Sequence, residues 1–144
     1  MRYLLTMTAV ILIGLSSAFA ESEEGSPLPD VKEVKAVSIK FDHPDQREDV
    51  SFTATVEDWS AIRGALSPAK LDPKPALWEW LGTVTLTKND GELFQVELYD
   101  LPYATGAFAI GEKAEGRIYY RGGKSVDLVK AVIAAYDRSK KADE

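Results

Sequence analysis

The sequence predicts an α+β domain, an antiparallel sheet of about six strands in the element order β-β-α-β-β-β-β-α, with two helices packed on one face of it. Three observations carry that prediction. Apolar residues alternate with period two along several segments, as they do in half-buried strands. Two other segments carry apolar residues at helical spacing behind a residue able to cap a helix. Asn89-Asp90-Gly91, set between two alternating runs, is a tight-turn signal because Asn and Gly tolerate positive φ.

The elements follow in chain order. Val37, Ile39 and Phe41 alternate with Ala36, Ser38 and Lys40, so a strand is expected from Val34. After a polar loop from Asp42 to Asp49, Phe52, Ala54 and Val56 face one way and Ser51, Thr53, Thr55 and Glu57 the other, which predicts a second strand able to pair with the first. Asp58 is expected as the N-cap of a helix bearing Trp59, Ile62 and Leu66 and ending near Ser67, before Pro68. Pro68, Pro73 and Pro75 predict an extended connection as far as Trp78, since each fixes its own φ and keeps the preceding residue out of helical space.

From Thr83 to Arg121 the pattern is that of an antiparallel meander. Thr83 to Thr87 alternates strictly, and Phe94, Val96 and Leu98 resume the alternation after the turn. Leu101 to Gly106 reads as a loop, Ala107 to Ile110 as a short strand, Gly111 to Gly116 as a charged turn and Arg117 to Arg121 as a last strand, which Gly122-Gly123 ends. Ser125 is expected to cap a C-terminal helix with Val126, Val129, Ile133 and Tyr136 on one face and Asp127 near the positive end of the helix dipole.

Residues 1–20 have the layout of a secretory signal. Arg2 supplies the positive start, Leu4 to Leu15 a short apolar run, and Ala18-Phe19-Ala20 the small-x-small cleavage pattern. A membrane anchor is the rival reading, but a span needs about 20 apolar residues and this run ends in small ones. Cleavage between Ala20 and Glu21 is therefore expected, giving a secreted or periplasmic product without stable membrane insertion. Residues 21–33, acidic and punctuated by Gly25, Pro27 and Pro29, read as a disordered tether. A single α+β domain is expected over residues 34–138, with a flexible tail at 139–144.

Charge and cysteine content narrow the function classes. The full chain carries 17 Lys and Arg against 23 Asp and Glu; losing Arg2 with the signal takes the net charge from -6 to -7. That balance repels nucleic acid and anionic lipid. Without cysteine there is no disulfide, no zinc-thiolate site, no thiol nucleophile and no lipidated cysteine anchor.

Most chemical motifs fail on spacing. Gly123-Lys124-Ser125 resembles the end of a phosphate loop, but Ile118 stands where the leading glycine belongs. Ser125 lacks the glycine two residues on that a nucleophile elbow needs, Asp127 being there instead. Asp42, His43, Asp45 and Asp49 could gather around a divalent cation, yet they match no calcium-loop spacing and read better as a solvated turn, so no metal site is assigned. Trp78 and Trp80, at i and i+2, would share one side of an extended segment as a platform for sugars or peptides; the plainer reading has at least one indole closing the core.

One feature survives. If Val84, Leu86, Phe94, Val96, Leu98, Ile118 and Tyr120 face the helices, then Thr83, Thr85, Thr87, Gln95 and Glu97 share the open face with Tyr99, Arg117, Tyr119 and Arg121. Tyr and Arg are enriched at interface hot spots, so those last four are the candidate binding residues, with a merely solvated face as the alternative. The function expected is a small exported binding or accessory domain for a protein, peptide or envelope polymer, without a cofactor and without a catalytic residue. The alternatives are a small secreted hydrolase with an unrecognised carboxylate site and a purely structural envelope protein. Mass spectrometry of the exported product should find Glu21 at its N-terminus; intact residues 1–20 in a membrane fraction would contradict the signal reading.

Overall fold

A half-buried strand buries every second side chain and satisfies its backbone only within a ladder, so the alternating segments assemble together. The computed structural model describes residues 26–73, 78–100, 105–111 and 116–144. The expected signal segment, the start of the tether, residues 74–77 of the expected extended connection and the loop residues 101–104 and 112–115 lie outside the described residues.

The strands are β1 (Val34–Phe41), β2 (Val50–Ala54), β3 (Ala69–Leu71), β4 (Glu79–Lys88), β5 (Leu93–Asp100), β6 (Gly106–Ile110) and β7 (Ile118–Gly122). They form one sheet in the order β2-β1-β4-β5-β6-β7-β3, every adjacent pair antiparallel. Helix α1 (Val56–Ala65) follows β2, and helix α2 (Ser125–Ala142) ends the chain. The expected α+β architecture holds, with seven strands rather than about six. The added strand is β3, three residues between Pro68 and Pro73 that have their own N–H groups free to pair with β7. Being short and bounded by proline, it blunts that edge of the sheet against further pairing.

The two helices pack on each other, α1 against β1 and α2 against β2 and β6. Trp59, Ile62 and Leu66 are fully buried against Val37, Ile39 and Phe41 of β1, Val84 and Leu86 of β4, and Val96 and Leu98 of β5. Two expected inward residues behave differently. Ile118 is 47% exposed because the helices sit chiefly over β1, β2 and β6, leaving the β7 end of that face thinly covered. Val126 is 58% exposed, and the buried stripe of α2 is Leu128, Val132, Ala135 and Tyr136, with Val129 and Ile133 half-buried. The first turn of α2 is fixed by a hydrogen bond from the Ser125 hydroxyl to Asp100 at the end of β5, and that sets the rotation of the helix.

The helix caps also differ from the sequence reading. Thr55, not Asp58, is the N-cap of α1: its hydroxyl accepts from Asp58 N at 3.0 Å while Asp58 Oδ2 accepts from Thr55 N at 2.9 Å, a capping box that draws Val56 and Glu57 into the helix. Ser125 is the first residue of α2 and Lys124 its N-cap, because the hydroxyl is spent on Asp100. That helix continues past Arg138 to Ala142, with Lys140 and Lys141 at its negative end and the Lys140 ammonium 4.9 Å from the Tyr136 ring centroid. Part of the expected tether is tied down: Leu28 is buried and Pro29 O accepts from Trp59 Nε1 at 3.1 Å.

Where α1 ends, the chain passes so close to β7 that only glycine fits. A Cβ on Gly123, which has φ of +63°, would lie 1.7 Å from Ala65 O, and one on Gly122 would lie 2.4 Å from Leu66 O. The Gly122-Gly123 pair thus seats the C-terminus of α1 on the sheet as well as ending the strand.

Leu98→Ala should cost about 2–4 kcal/mol in urea unfolding through lost burial and a cavity, whereas Ile118→Ala should stay within about 0.5 kcal/mol or little more. A second test concerns acid. Burial raises the Asp58 pKa, but the Thr55 backbone N–H, the Arg138 guanidinium and the Thr55 hydroxyl outweigh it and hold the carboxyl below its usual range. A folded pKa below the unfolded one contributes stability that is complete above about pH 4 and is lost as pH falls through the lower value. Asp58→Asn should therefore lower the thermal midpoint at neutral pH and flatten its fall below about pH 4.

Candidate functional site

The site is built on the face of the sheet away from the helices, and a bulge makes it. Trp80 pairs with Tyr99 but Gly82 pairs with Leu98, so Leu81 is an extra residue in β4. Period two would have put Trp80 on the side of Val84; the inserted Leu81, itself buried, turns the Trp80 indole to the open face. Gly82 makes this possible, because a Cβ there would lie 2.7 Å from both Lys40 O and Phe41 Cβ of the neighbouring strand.

The open face has two parts. Over β5, β6 and β7 an aromatic cluster stands on small residues: Ala107 and Ala109, fully buried, form the floor, and Tyr99, Tyr119, Trp78 and Trp80 pack around them. The Trp78 ring lies 5.3 Å from that of Tyr99 and 5.4 Å from that of Tyr119, the latter edge-on. Both tryptophans of the Trp78-Glu79-Trp80 motif therefore belong to the open face; the core is closed by Trp59, which corrects the plainer reading of the motif.

Beside this cluster, over β1, β4 and β5, lies a shallow groove of about 530 Å³. Its floor is polar, made of Ser38, Thr83, Thr85 and Gln95, with Lys40 along one side. Trp80, Tyr99 and Arg117 form the wall shared with the aromatic cluster. Glu97 organises that wall: its Oε2 accepts from Trp80 Nε1 at 2.8 Å and from Thr83 Oγ1 at 2.7 Å, while an Arg117 guanidinium nitrogen lies 4.0 Å from Oε1. Arg117 Nη1 also donates to the Tyr99 hydroxyl at 2.9 Å. Burial, partly opposed by the Arg117 charge, raises the Tyr99 pKa, so the phenol stays neutral well into the alkaline range.

The four expected binding residues are all on this face but do not form one surface. Tyr99 and Arg117 line the groove, although Tyr99 is only 8% exposed and supports the wall more than it presents a contact. Tyr119 sits in the aromatic cluster. Arg121 is displaced toward β3, where its guanidinium pairs with Asp72 at 2.8 Å. Sequence reasoning missed Lys40 and Ser38 as groove residues, and offered Trp80 only in the platform reading set beside the plainer core one. Alternation places Lys40 and Ser38 on the open side of β1, but that β1 lies beside β4 is a matter of topology.

The loop with the expected candidate cation ligands is organised around packing. His43 is 8% exposed rather than solvated, its ring 5.3 Å from that of Phe41 and 5.1 Å from that of Tyr136, with Nδ1 accepting from Asp45 N at 3.0 Å. The aromatic wall of Phe41, Phe52 and Tyr136 supplies the apolar contact that a composition-based reading of the turn could not anticipate. Among the described residues no three His, Cys, Asp or Glu side chains are grouped to hold a metal ion, and no helix is long and apolar enough to cross a membrane. Comparison of the chain with protein-family models, with curated proteins and with solved structures finds no match.

Glu97→Ala should cost about 1–3 kcal/mol, since it strips the shared acceptor from Trp80 and Thr83 and leaves Arg117 without its carboxylate. Trp80 emission should shift to longer wavelength in that variant. Gln95→Ala, on the exposed floor, should change neither quantity appreciably.

Proposed function

We propose that the protein is a small exported binding domain whose ligand lies in the open-face groove bounded by Trp80, Tyr99, Glu97 and Arg117. The observation that carries this reading is that Glu97 ties the wall residues Trp80 and Arg117 to the floor residue Thr83, while Ser38, Thr85 and Gln95 line the groove beside them and the largely exposed Lys40 ammonium approaches Asp49 at 4.0 Å. A preformed wall over polar groups free to exchange water for a ligand is the usual construction of a binding site. The volume is in the range of small-ligand and short-polymer sites, about 300–1,000 Å³.

A binding role is favoured over hydrolysis by the state of Glu97. It is the one carboxylate among the described lining residues, and its oxygens are engaged within the wall by two hydrogen bonds and a facing arginine, with no second carboxylate in the groove lining to share acid–base work. Export fits the signal-like residues 1–20 and the absence of cysteine poses no obstacle to folding there, since the core and the aromatic cluster provide the packing.

Thr85→Trp fills the middle of the groove without touching the core. The domain comprising residues 21–144 should select ligands from a random-peptide phage library or from a panel of immobilised polysaccharides, and Thr85→Trp should lose them with a thermal midpoint within a few degrees of the parent. Binding that survives Thr85→Trp, or no binding in either panel, overturns the reading.

A further inference from the structure

We infer that the groove takes an acidic oligosaccharide, a chain of hydroxylated rings bearing carboxylates; this rests on the open face being the binding surface and specifies what that surface recognises. Three features point there.

The first is what the floor offers. β1 is paired with β2 and β4, β4 with β1 and β5, and β5 with β4 and β6, so the backbone groups beneath the groove are already engaged in ladders. Strand addition, the commonest way an extended peptide binds a sheet, needs an unpaired edge. Recognition must come from side chains instead. Those of Ser38, Thr85 and Gln95 are hydroxyls and an amide, groups that donate and accept as a saccharide hydroxyl does, the Thr83 hydroxyl being given to Glu97, and they provide no apolar pocket for a peptide anchor.

The second is the wall. The Trp80 indole N–H is tied to Glu97, which fixes the ring at the groove margin as a flat apolar surface against which the C–H face of a sugar ring can lie.

The third is charge. The strand register and the contacts of Arg117 and Asp72 place Lys40, Lys70, Arg117 and Arg121 on the open face with Glu97 and Asp72, and the alternation of β1 carries on to the exposed Asp42, whose N–H donates to Leu81 O. With Asp42 and with Asp49, which approaches Lys40 at 4.0 Å, the four cations are matched by four carboxylates, so the face is neutral on a chain of net charge -6. Glu97 is paired within the wall by Arg117, and the largely exposed Lys40 ammonium is the cation at the side of the floor. One accessible cation beside a hydroxyl-rich floor suits a carboxylate on a sugar ring.

The test is calorimetric titration of the domain comprising residues 21–144 at low salt with tetragalacturonate and a hyaluronan hexamer, against cellotetraose and an octathymidylate. At least one acidic oligosaccharide should bind tenfold or more tightly than cellotetraose and than the oligonucleotide, and its affinity should fall as salt is raised. Lys40→Ala, an exposed substitution that spares the fold, should weaken it about tenfold, the effect of one charge-assisted hydrogen bond. The assignment is overturned if neither acidic oligosaccharide binds, if cellotetraose or the oligonucleotide binds equally well, or if Lys40→Ala is without effect. The two levels separate cleanly. A peptide or neutral sugar that binds and is excluded by Thr85→Trp would remove the acidic-saccharide assignment and leave the groove standing. An acidic oligosaccharide that binds Thr85→Trp undiminished would remove the groove itself.

Discussion

The register of β4 on β5 is the constraint from which the rest of the structure follows. Val84 faces Val96 and Leu86 faces Phe94 at the centre of the sheet, and a slip of one residue would carry every one of these side chains to the opposite face. The hairpin turn holds that register from one end: Gly91, at φ of +92°, donates to Lys88 O at 2.9 Å, and Lys88 N donates to Glu92 O at 2.8 Å. At the other end the Leu81 bulge shifts the register once, so that core residues and groove residues are both obtained from a single strand. The core and the open face are thus two consequences of one alignment.

Helix placement depends on contacts made after the sheet is in register. Asp58 caps α1 through Thr55 and is bound by Arg138 of α2, so one buried carboxylate both starts the first helix and clamps the last one to it. Removing either partner leaves a buried charge or an uncapped helix, which is why this small network weighs more than a surface ion pair of the same distance. At the far end of α1 the close approach of Ala65 O and Leu66 O to Gly123 and Gly122 fixes the helix along the sheet. Ser125 bonded to Asp100 then sets the rotation of α2, and with it the choice of Leu128 and Val132 over Val126 as core residues.

The open face carries a second, smaller packing unit that gives the groove its stiffness. Alanines at 107 and 109 leave room for four large aromatic rings on the outer side of β5, β6 and β7. Trp78 and Trp80 cover this floor from the entry of β4, and the strand order explains how they come to be there. The chain leaves β3 at one edge and re-enters four strands away, bringing Trp78 onto Tyr99 and Tyr119. A sheet face that would otherwise be uniformly solvated is divided into a dry aromatic half and a wet hydroxylated half, with Glu97 and Arg117 on the boundary.

Period-two alternation, helical spacing and the Asn89-Asp90-Gly91 turn were enough to read the α+β class, the element order except β3, and the inward set Val84, Leu86, Val96 and Leu98, because these depend on local pattern and on burying one face. The same alternation put Tyr99, Arg117, Tyr119 and Arg121 on the face away from the helices. What local pattern could not carry was neighbourhood. That Lys40 and Ser38 flank Thr83 and Thr85 follows from β1 pairing with β4, that Trp80 turns outward follows from one inserted residue, and that His43 is buried follows from Tyr136 arriving from the far end of the chain. Cap identity was misread for a related reason: Thr55 and Asp58 both suit an N-cap, and only the reciprocal bonds of the capping box decide which residue begins the helix. Alternation is a property of consecutive residues and is legible in them, whereas strand order, bulges and helix rotation are settled by contacts between residues far apart in the chain, and it is those contacts that bring the groove together.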